Sequence, residues 1–260
     1  RGDAYGGSLE NRLRFPLAVV AAVRAAVGRD FCLGIRVSGD EFVDGGLHLD
    51  EVCTAVAALA QAVPLDFVNV SHSAYHASYS LATQMADMAF DPKMFRHLPG
   101  AVRRRLRDSG HVVPVMSVCR YDTLAEAETM IAQGETDMVG MARAHLAEPA
   151  LVAKTLAGRE DEIQPCIACN QGCAGMLEKN MPIRCVVNPR AGVEDEWPVP
   201  VDARTAQPRD VLVIGGGPAG MEAAWTAAAR GHRVQLWEAG QALGGQLNVL
   251  RDMPSRARYL

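Results

Sequence analysis

Apolar residues recur at Leu13, Leu17, Val20 and Val27 after the turn Tyr5-Gly6-Gly7-Ser8, the spacing of one helix face, and Gly28 supplies the stop. A short apolar run from Phe31 to Val37 follows; it is too short for a helix and predicts a buried strand. The unit then repeats. A helix is predicted over 49–62, with Val52, Val56, Leu59 and Val63 on one stripe, then a strand over 67–71, a helix over 92–107, a strand over 112–118, a helix over 122–133 and a strand over 137–141. Strands alternating with helices imply βαβ units on a parallel sheet. Periodicity leaves a doubly wound sheet and the second half of a (β/α)8 barrel equally open. From 161 to about 208 the pattern dissolves into Cys, Pro, Asn and Gly, an irregular segment ending in a linker near Val199-Pro200-Val201.

A new unit starts at Asp210. Val211–Ile214 runs directly into Gly215, Gly217 and Gly220, spaced as G-x-G-x-x-G, and an Ala-rich helix is expected over 221–230. Glycines there let backbone N–H groups approach a pyrophosphate at a helix N-terminus. A second strand over 234–237 ends in Glu238, 23 residues beyond Gly215, placed to accept a bond from a ribose hydroxyl. A turn with no ligand is the alternative reading. Gly244-Gly245-Gln246 beyond the acid resembles the flavoproteins with two dinucleotide-binding domains, in which FAD more often than NAD sits on the first such fingerprint.

Composition narrows the classes. The 260 residues are 49% hydrophobic and 22% charged, a globular balance that excludes disordered or collagen-like chains. Lys+Arg 26 against Asp+Glu 30 gives net charge −4, too near neutral to argue for nucleic acid or an anionic membrane as partner. There is no 18-residue apolar run and no secretory pattern, so a cytoplasmic location is expected. The basic run Arg103-Arg104-Arg105 with Arg107 reads as a solvated helix face.

Of the 7 Cys, Cys166, Cys169, Cys173 and Cys185 space as C-x2-C-x3-C-x11-C in the irregular segment, a strong metal signal. Structural zinc and an iron–sulfur cluster compete for them; a flavin context favours iron, because zinc carries no electron. Cys32 and Cys53 read as small buried apolar residues, and Cys119 follows a strand.

Together, Arg1-Gly2-Asp3-Ala4-Tyr5-Gly6-Gly7-Ser8-Leu9-Glu10-Asn11-Arg12, Ile35-Arg36-Val37-Ser38, Met141-Ala142-Arg143 and Cys166-Ile167-Ala168-Cys169-Asn170-Gln171-Gly172-Cys173 resemble the old yellow enzyme superfamily. More narrowly they resemble its iron–sulfur branch, which contains trimethylamine dehydrogenase and bacterial 2,4-dienoyl-CoA reductase. The resemblance implies an α/β protein in which 1–158 is the C-terminal half of an FMN-binding (β/α)8 TIM barrel and 159–198 an irregular [4Fe-4S] segment. A linker would span 199–209, and 210–260 would start a Rossmann-like dinucleotide-binding domain for FAD or NAD(P)H. The chain lacks an initiator Met and stops inside that last unit, so a longer protein is expected, and the isolated chain is expected to be poorly soluble.

The resemblance also implies roles. Arg36 would face the flavin pyrimidine edge, where a positive charge favours the reduced ring. Arg120 would lie on the flavin phosphate, whose oxygens suit a guanidinium fork. Gly140, Ala142 and Arg143 would offer backbone N–H groups to the same phosphate, although Arg143 has helix capping as an alternative. The loop Ser71-His72-Ser73-Ala74-Tyr75-His76-Ala77-Ser78-Tyr79 should choose the substrate. In dienoyl-CoA reductases a His here protonates the substrate, and His76 is the positional match; in trimethylamine dehydrogenase the loop helps build an aromatic amine site, a part open to Tyr75 and Tyr79.

Three readings follow. The first is an FMN- and [4Fe-4S]-dependent oxidoreductase that demethylates a small N-methylated amine or amino acid and passes electrons to FAD or an external acceptor. The second is an NAD(P)H-dependent reductase of enoyl or dienoyl thioesters. The third, of another class, is a non-catalytic piece with structural zinc. Homo-oligomers are common for such enzymes.

Overall fold

The computed structural model describes residues 2–76, 78–118, 120–197 and 203–257. Cys119 and the 199–202 part of the expected linker lie outside the described residues.

Four parallel strands, β1 (Gly34–Ser38), β2 (Phe67–Ser71), β3 (Val115–Ser117) and β4 (Met138–Val139), lie side by side in chain order. Helices α1 (Leu9–Val27), α2 (Leu49–Ala62), α3 (Ser78–Gln84), α4 (His97–Asp108), α5 (Leu124–Ala132), α6 (Ala142–Ala147) and α7 (Leu151–Leu156) surround and follow them. The strand period of two divides the sheet into unlike faces. Val68, Val70 and Val115 are fully buried in one core with Leu13, Val52, Val56, Leu59, Phe95, Leu98, Val102 and Leu106 from α1, α2 and the α4 region. The other face, where Arg36 pairs with Asn69, Asn69 with Met116 and Met116 with Met138, is only partly covered.

Several boundaries move for physical reasons. The first strand begins at Gly34 and not at Phe31, because Leu33 donates its N–H to the Asp66 carboxylate (2.6 Å) and not to a ladder, and Phe31 is exposed. The strand over 112–118 shortens to Val115–Ser117, and that over 137–141 to two residues. The helix over 92–107 begins at His97 after a turn. Helix α3 was not anticipated. Cys53 is buried as expected, whereas Cys32 is exposed. The basic run is a solvated helix face at Arg104, Arg105 and Arg107, which are exposed even though Arg104 pairs with Glu135 (3.0 Å) and Arg105 reaches Thr54 (2.8 Å); Arg103 departs from it and forks onto Asp137 (3.0 and 2.7 Å).

After α8 (Ala174–Leu177), β5 (Asp210–Ile214), α9 (Pro218–Ala229) and β6 (Arg233–Trp237) form a second βαβ unit with its two strands parallel. Helix α9 starts three residues earlier than expected because Pro218 suits the first turn. Gly220 then lies inside it: a Cβ there would sit 1.8 Å from the Gly215 carbonyl, so glycine is what lets helix and strand close. Among the described residues no helix is long and apolar enough to cross a membrane.

Leu98 is fully buried and Leu156 is 81% exposed. Leu98→Ala is expected to lower unfolding stability by about 2–5 kcal/mol, and Leu156→Ala to stay within about 0.5 kcal/mol, in denaturant titrations.

Candidate functional site

Because the strands run parallel, their carboxyl ends share one edge, and the loops that leave it carry the chemistry. Arg36, exposed on β1, donates from Nη2 to Ser71 Oγ (2.9 Å) on β2. Beside it, Asn69 donates to Met116 Sδ (3.1 Å), while its buried Oδ1 has no partner among the described residues. An orphaned acceptor next to a guanidinium, on the uncovered sheet face, suits a polar planar ligand.

The loop after β2 is held by buried hydroxyls. Ser73, at φ 69, shares a bond with Thr83 (2.7 Å), and Ser80 Oγ donates to the Ala74 carbonyl (2.9 Å) and accepts from the Ala74 N–H (2.7 Å). His72 is buried against Phe95, their rings stacked at 4.1 Å, and donates from Nε2 to the Thr83 carbonyl (2.9 Å). Burial pushes its pKa down to about 4; the Thr83 bond opposes this, and the charges of Arg143 and Arg36 add to it. Tyr75 and His76, the expected catalytic pair, sit exposed at the tip of the same loop, Tyr75 83% so.

Arg120 follows β3 with φ 50, the left-handed region that costs a residue with a Cβ. Its carbonyl accepts from Arg96 Nη2 (3.0 Å); Arg96 lies over the Tyr121 ring at 4.7 Å and pairs with Glu126 (3.2 Å). The Arg120 guanidinium donates to the Asp87 (2.6 Å) and Phe90 (2.8 Å) carbonyls. Gly140 donates its N–H to the Ser117 carbonyl (2.8 Å), and Ala142 and Arg143 open α6. The Arg143 side chain turns away from that turn to Ala86 and Asn170.

Cys166, Cys169, Cys173 and Cys185 line one narrow cavity together with Arg143, Asn170 and Gly172. A Cβ on Gly172 would fall 2.6 Å from the Arg184 carbonyl, and Arg184 donates its N–H to the Gly172 carbonyl (2.7 Å), so glycine brings the Cys185 segment against the Cys173 turn. All four thiols are free. Burial pushes the Cys166 thiol up, against a bond from the Ala168 N–H and the charge of Arg143. Among the described residues, no group of three or more His, Cys, Asp or Glu side chains is arranged to hold a metal ion, so the four cysteines share a pocket without forming a closed metal site.

In the second unit, Gly215 adopts φ 102 and Glu238 accepts from the Gly216 (2.6 Å) and Gly240 (2.7 Å) N–H groups, which hold its carboxyl below the usual range. Gly217 N-caps α9. Gly245 (φ 49) approaches Gly217 closely, and Gln246 follows in a short 3-10 turn. A separate cavity of about 440 Å³, bordered by Trp197, Arg190, Trp225 and Glu222, contains none of the expected site residues.

A parallel α/β sheet with arginines at its carboxyl edge, followed by a four-cysteine pocket and a glycine-loop βαβ unit, is the layout of a cofactor-binding α/β protein. The chain belongs to the NADH:flavin oxidoreductase / NADH oxidase family, whose model matches residues 1–162. A model described as FAD dependent oxidoreductase matches residues 210–250. The chain is 38% identical to an NADH oxidase of Thermoanaerobacter brockii over 99% of its own length and 38% of that protein. It is 37% identical to an N,N-dimethylglycine/sarcosine dehydrogenase of Chromohalobacter salexigens over 98% of its length and 36% of that protein. A 2-naphthoyl-CoA reductase structure superposes with TM-score 0.85 at 31% identity, covering 100% of this chain and 38% of that one. The chain thus spans under two fifths of the length of the proteins it matches.

His72, which the sequence pattern does not separate from His76, yields a pH signature. Its ring takes a proton near pH 6.5 when unfolded and near pH 4 when folded, so the unfolded state binds the extra proton between those values. The stability of the neutral buried ring is complete above pH 6.5 and is lost, by about 3 kcal/mol, as pH falls through 4. His72→Gln is therefore expected to flatten the stability curve over this window in denaturant titrations. Parallel curves for the two proteins would mean that the ring titrates as it does in water.

Proposed function

We propose that the protein is a flavin-dependent oxidoreductase in which 1–158 forms the C-terminal half of an FMN-binding (β/α)8 barrel, 159–198 a [4Fe-4S] segment and 210–260 the start of a Rossmann-like FAD domain. The observation that carries this reading is the partly covered sheet face, with the exposed Arg36 paired to Asn69 at the middle of β1 and β2, lying in one chain with a pocket of four thiols. Family membership supports FMN at the first and FAD at the glycine loop.

When bound, these groups supply hydride acceptance and single-electron transfer. The chain's own residues do the rest. Arg36 would set a positive charge at the pyrimidine edge, with the Asn69 amide beside it available to a ring N–H. The turn at Arg120 and the backbone N–H groups of Ala142 and Arg143 would hold the phosphate, while the Gly140 N–H, expected there too, is given to the Ser117 carbonyl and shapes the turn. Cys166, Cys169, Cys173 and Cys185 would each take one iron. Gly215, Gly217 and Gly220 would admit the FAD pyrophosphate, with Glu238 on its ribose and Gly245 and Gln246 closing over it.

The substrate is a small N-methylated amine or amino acid, a reading supported by the similarity to the dimethylglycine/sarcosine dehydrogenase. Hydride leaves the N-methyl carbon, and water hydrolyses the resulting iminium to the demethylated amine, formaldehyde and a proton. Tyr75 and Tyr79, both exposed on the substrate loop, would offer π-faces to the ammonium group. The 2-naphthoyl-CoA reductase likeness favours a second reading, an NAD(P)H-dependent reductase of an unsaturated thioester with His76 as proton donor. Catalysis is expected in the cytoplasm.

The test uses holoenzyme purified without oxygen, given dimethylglycine in one cuvette and NADPH in another. Flavin bleaching by dimethylglycine, with formaldehyde released, is the expected result. Bleaching by NADPH alone, reversed by an enoyl thioester and lost at the reversal step in His76→Ala, would establish the second reading.

A further inference from the structure

The Arg143 guanidinium occupies an unexpected place. Its backbone belongs to the turn between β4 and α6, at the carboxyl edge of the sheet, yet its side chain lines the cavity of Cys166, Cys169, Cys173 and Cys185. From Nη1 it donates to the Ala86 carbonyl (3.0 Å) and to Asn170 Oδ1 (2.6 Å). Asn170 in turn donates from Nδ2 to the Met85 carbonyl, and the Met88 N–H donates to the Ala168 carbonyl (2.9 Å). The 85–88 loop of the first unit and the Cys166–Cys169 turn are thus laced together by four bonds, with one permanent charge among them. On either side of Cys169, Ala168 (φ 50) and Asn170 (φ 58) hold left-handed backbone, a conformation that persists only where the surroundings impose it.

We propose that Arg143 is a positioning residue for the cluster: it fastens the Cys166–Cys169 turn to the sheet unit, and its charge raises the reduction potential of the iron–sulfur group held there. The inference rests on the [4Fe-4S] reading above. Reduction delivers one electron to the cluster and moves no proton, so the group gains one negative charge. A guanidinium in the wall of a narrow cavity stabilises that added charge with less screening than at the surface. Arginine is the residue that can do both, since its fork reaches two acceptors and it keeps its proton at every working pH.

The test is a dithionite titration of the holoenzyme followed by electron paramagnetic resonance, with iron, FMN and FAD contents measured alongside. Arg143→Gln and Arg143→Met are expected to shift the cluster midpoint, read on the iron-loaded enzyme, to more negative potential. Arg143→Lys, which keeps the charge and loses the fork, should hold the original midpoint. An unmoved midpoint in an iron-loaded neutral variant overturns the proposal. So does loss of FMN with an unmoved midpoint, which would put the guanidinium on the flavin phosphate. If neither neutral variant retains iron while Arg143→Lys does so at the original midpoint, the requirement for charge stands; if Arg143→Lys also loses iron while keeping both flavins, the charge role falls. An unsubstituted holoenzyme without iron or a cluster signal would remove the [4Fe-4S] reading itself, a result distinct from all of these.

Discussion

The alternation of side chains along parallel strands is the constraint from which the rest of the first unit follows. With Val68, Val70 and Val115 committed to the helix-covered core, Arg36, Asn69, Ser71 and Met116 must emerge on the other face, since successive residues of a strand point opposite ways. Parallel pairing adds the second half of the constraint. All the strand ends that carry useful loops fall on one edge, so Arg36 and Arg143 both act on His72 although 107 residues separate them in the chain. A one-residue slip of β1 against β2 would bury Arg36 in an apolar core, where an unpaired charge is far more costly than a lost methyl contact.

Bringing loops to one edge creates a problem of backbone polarity, and the structure solves it with side chains. Ser73, Ser80 and Thr83 are buried, and each hydroxyl is bonded within the 72–83 segment. At the β3 end the same task falls to Arg96, which bonds the Arg120 carbonyl, covers the Tyr121 ring and pairs with Glu126. The Glu126 carboxyl, which burial pushes up, is kept below its usual range by the Asp122 N–H and the Arg96 charge. Such bonded buried networks rigidify what they join, so these loops are shaped before any ligand arrives.

Elements whose identity depends on apolar periodicity were legible in the sequence: β2 and α2 occupy the predicted residues. Elements set by distant side chains were not. Leu33 is kept out of β1 by Asp66, itself bonded by Arg24 (2.7 Å), an arrangement of residues far apart in sequence. Helix α3 escaped because its inward residues are Ser80 and Thr83, and polar burial leaves no apolar stripe to read. In the site, Arg36 and the four cysteines stood out by residue type. His72 and His76, four residues apart on one loop, were separated only by Phe95, which covers the first and not the second. That Arg143 serves the cysteine pocket was illegible for the same reason, since its acceptors at Ala86 and Asn170 lie 57 and 27 residues away.

The electrostatics of the edge share one character. The groups that face it closely, Arg36 and Arg143, keep their charge at any pH at which the protein folds, and both push the proton affinity of His72 down. Burial against Phe95 completes the effect, so this ring is held neutral. A redox centre gains from this arrangement. Its potential depends on nearby charge, and a histidine that switched state near neutrality would make electron transfer follow the pH of the surroundings. Guanidiniums around a silenced imidazole hold the local field constant, and they leave His76, exposed at the loop tip, outside the buried arrangement.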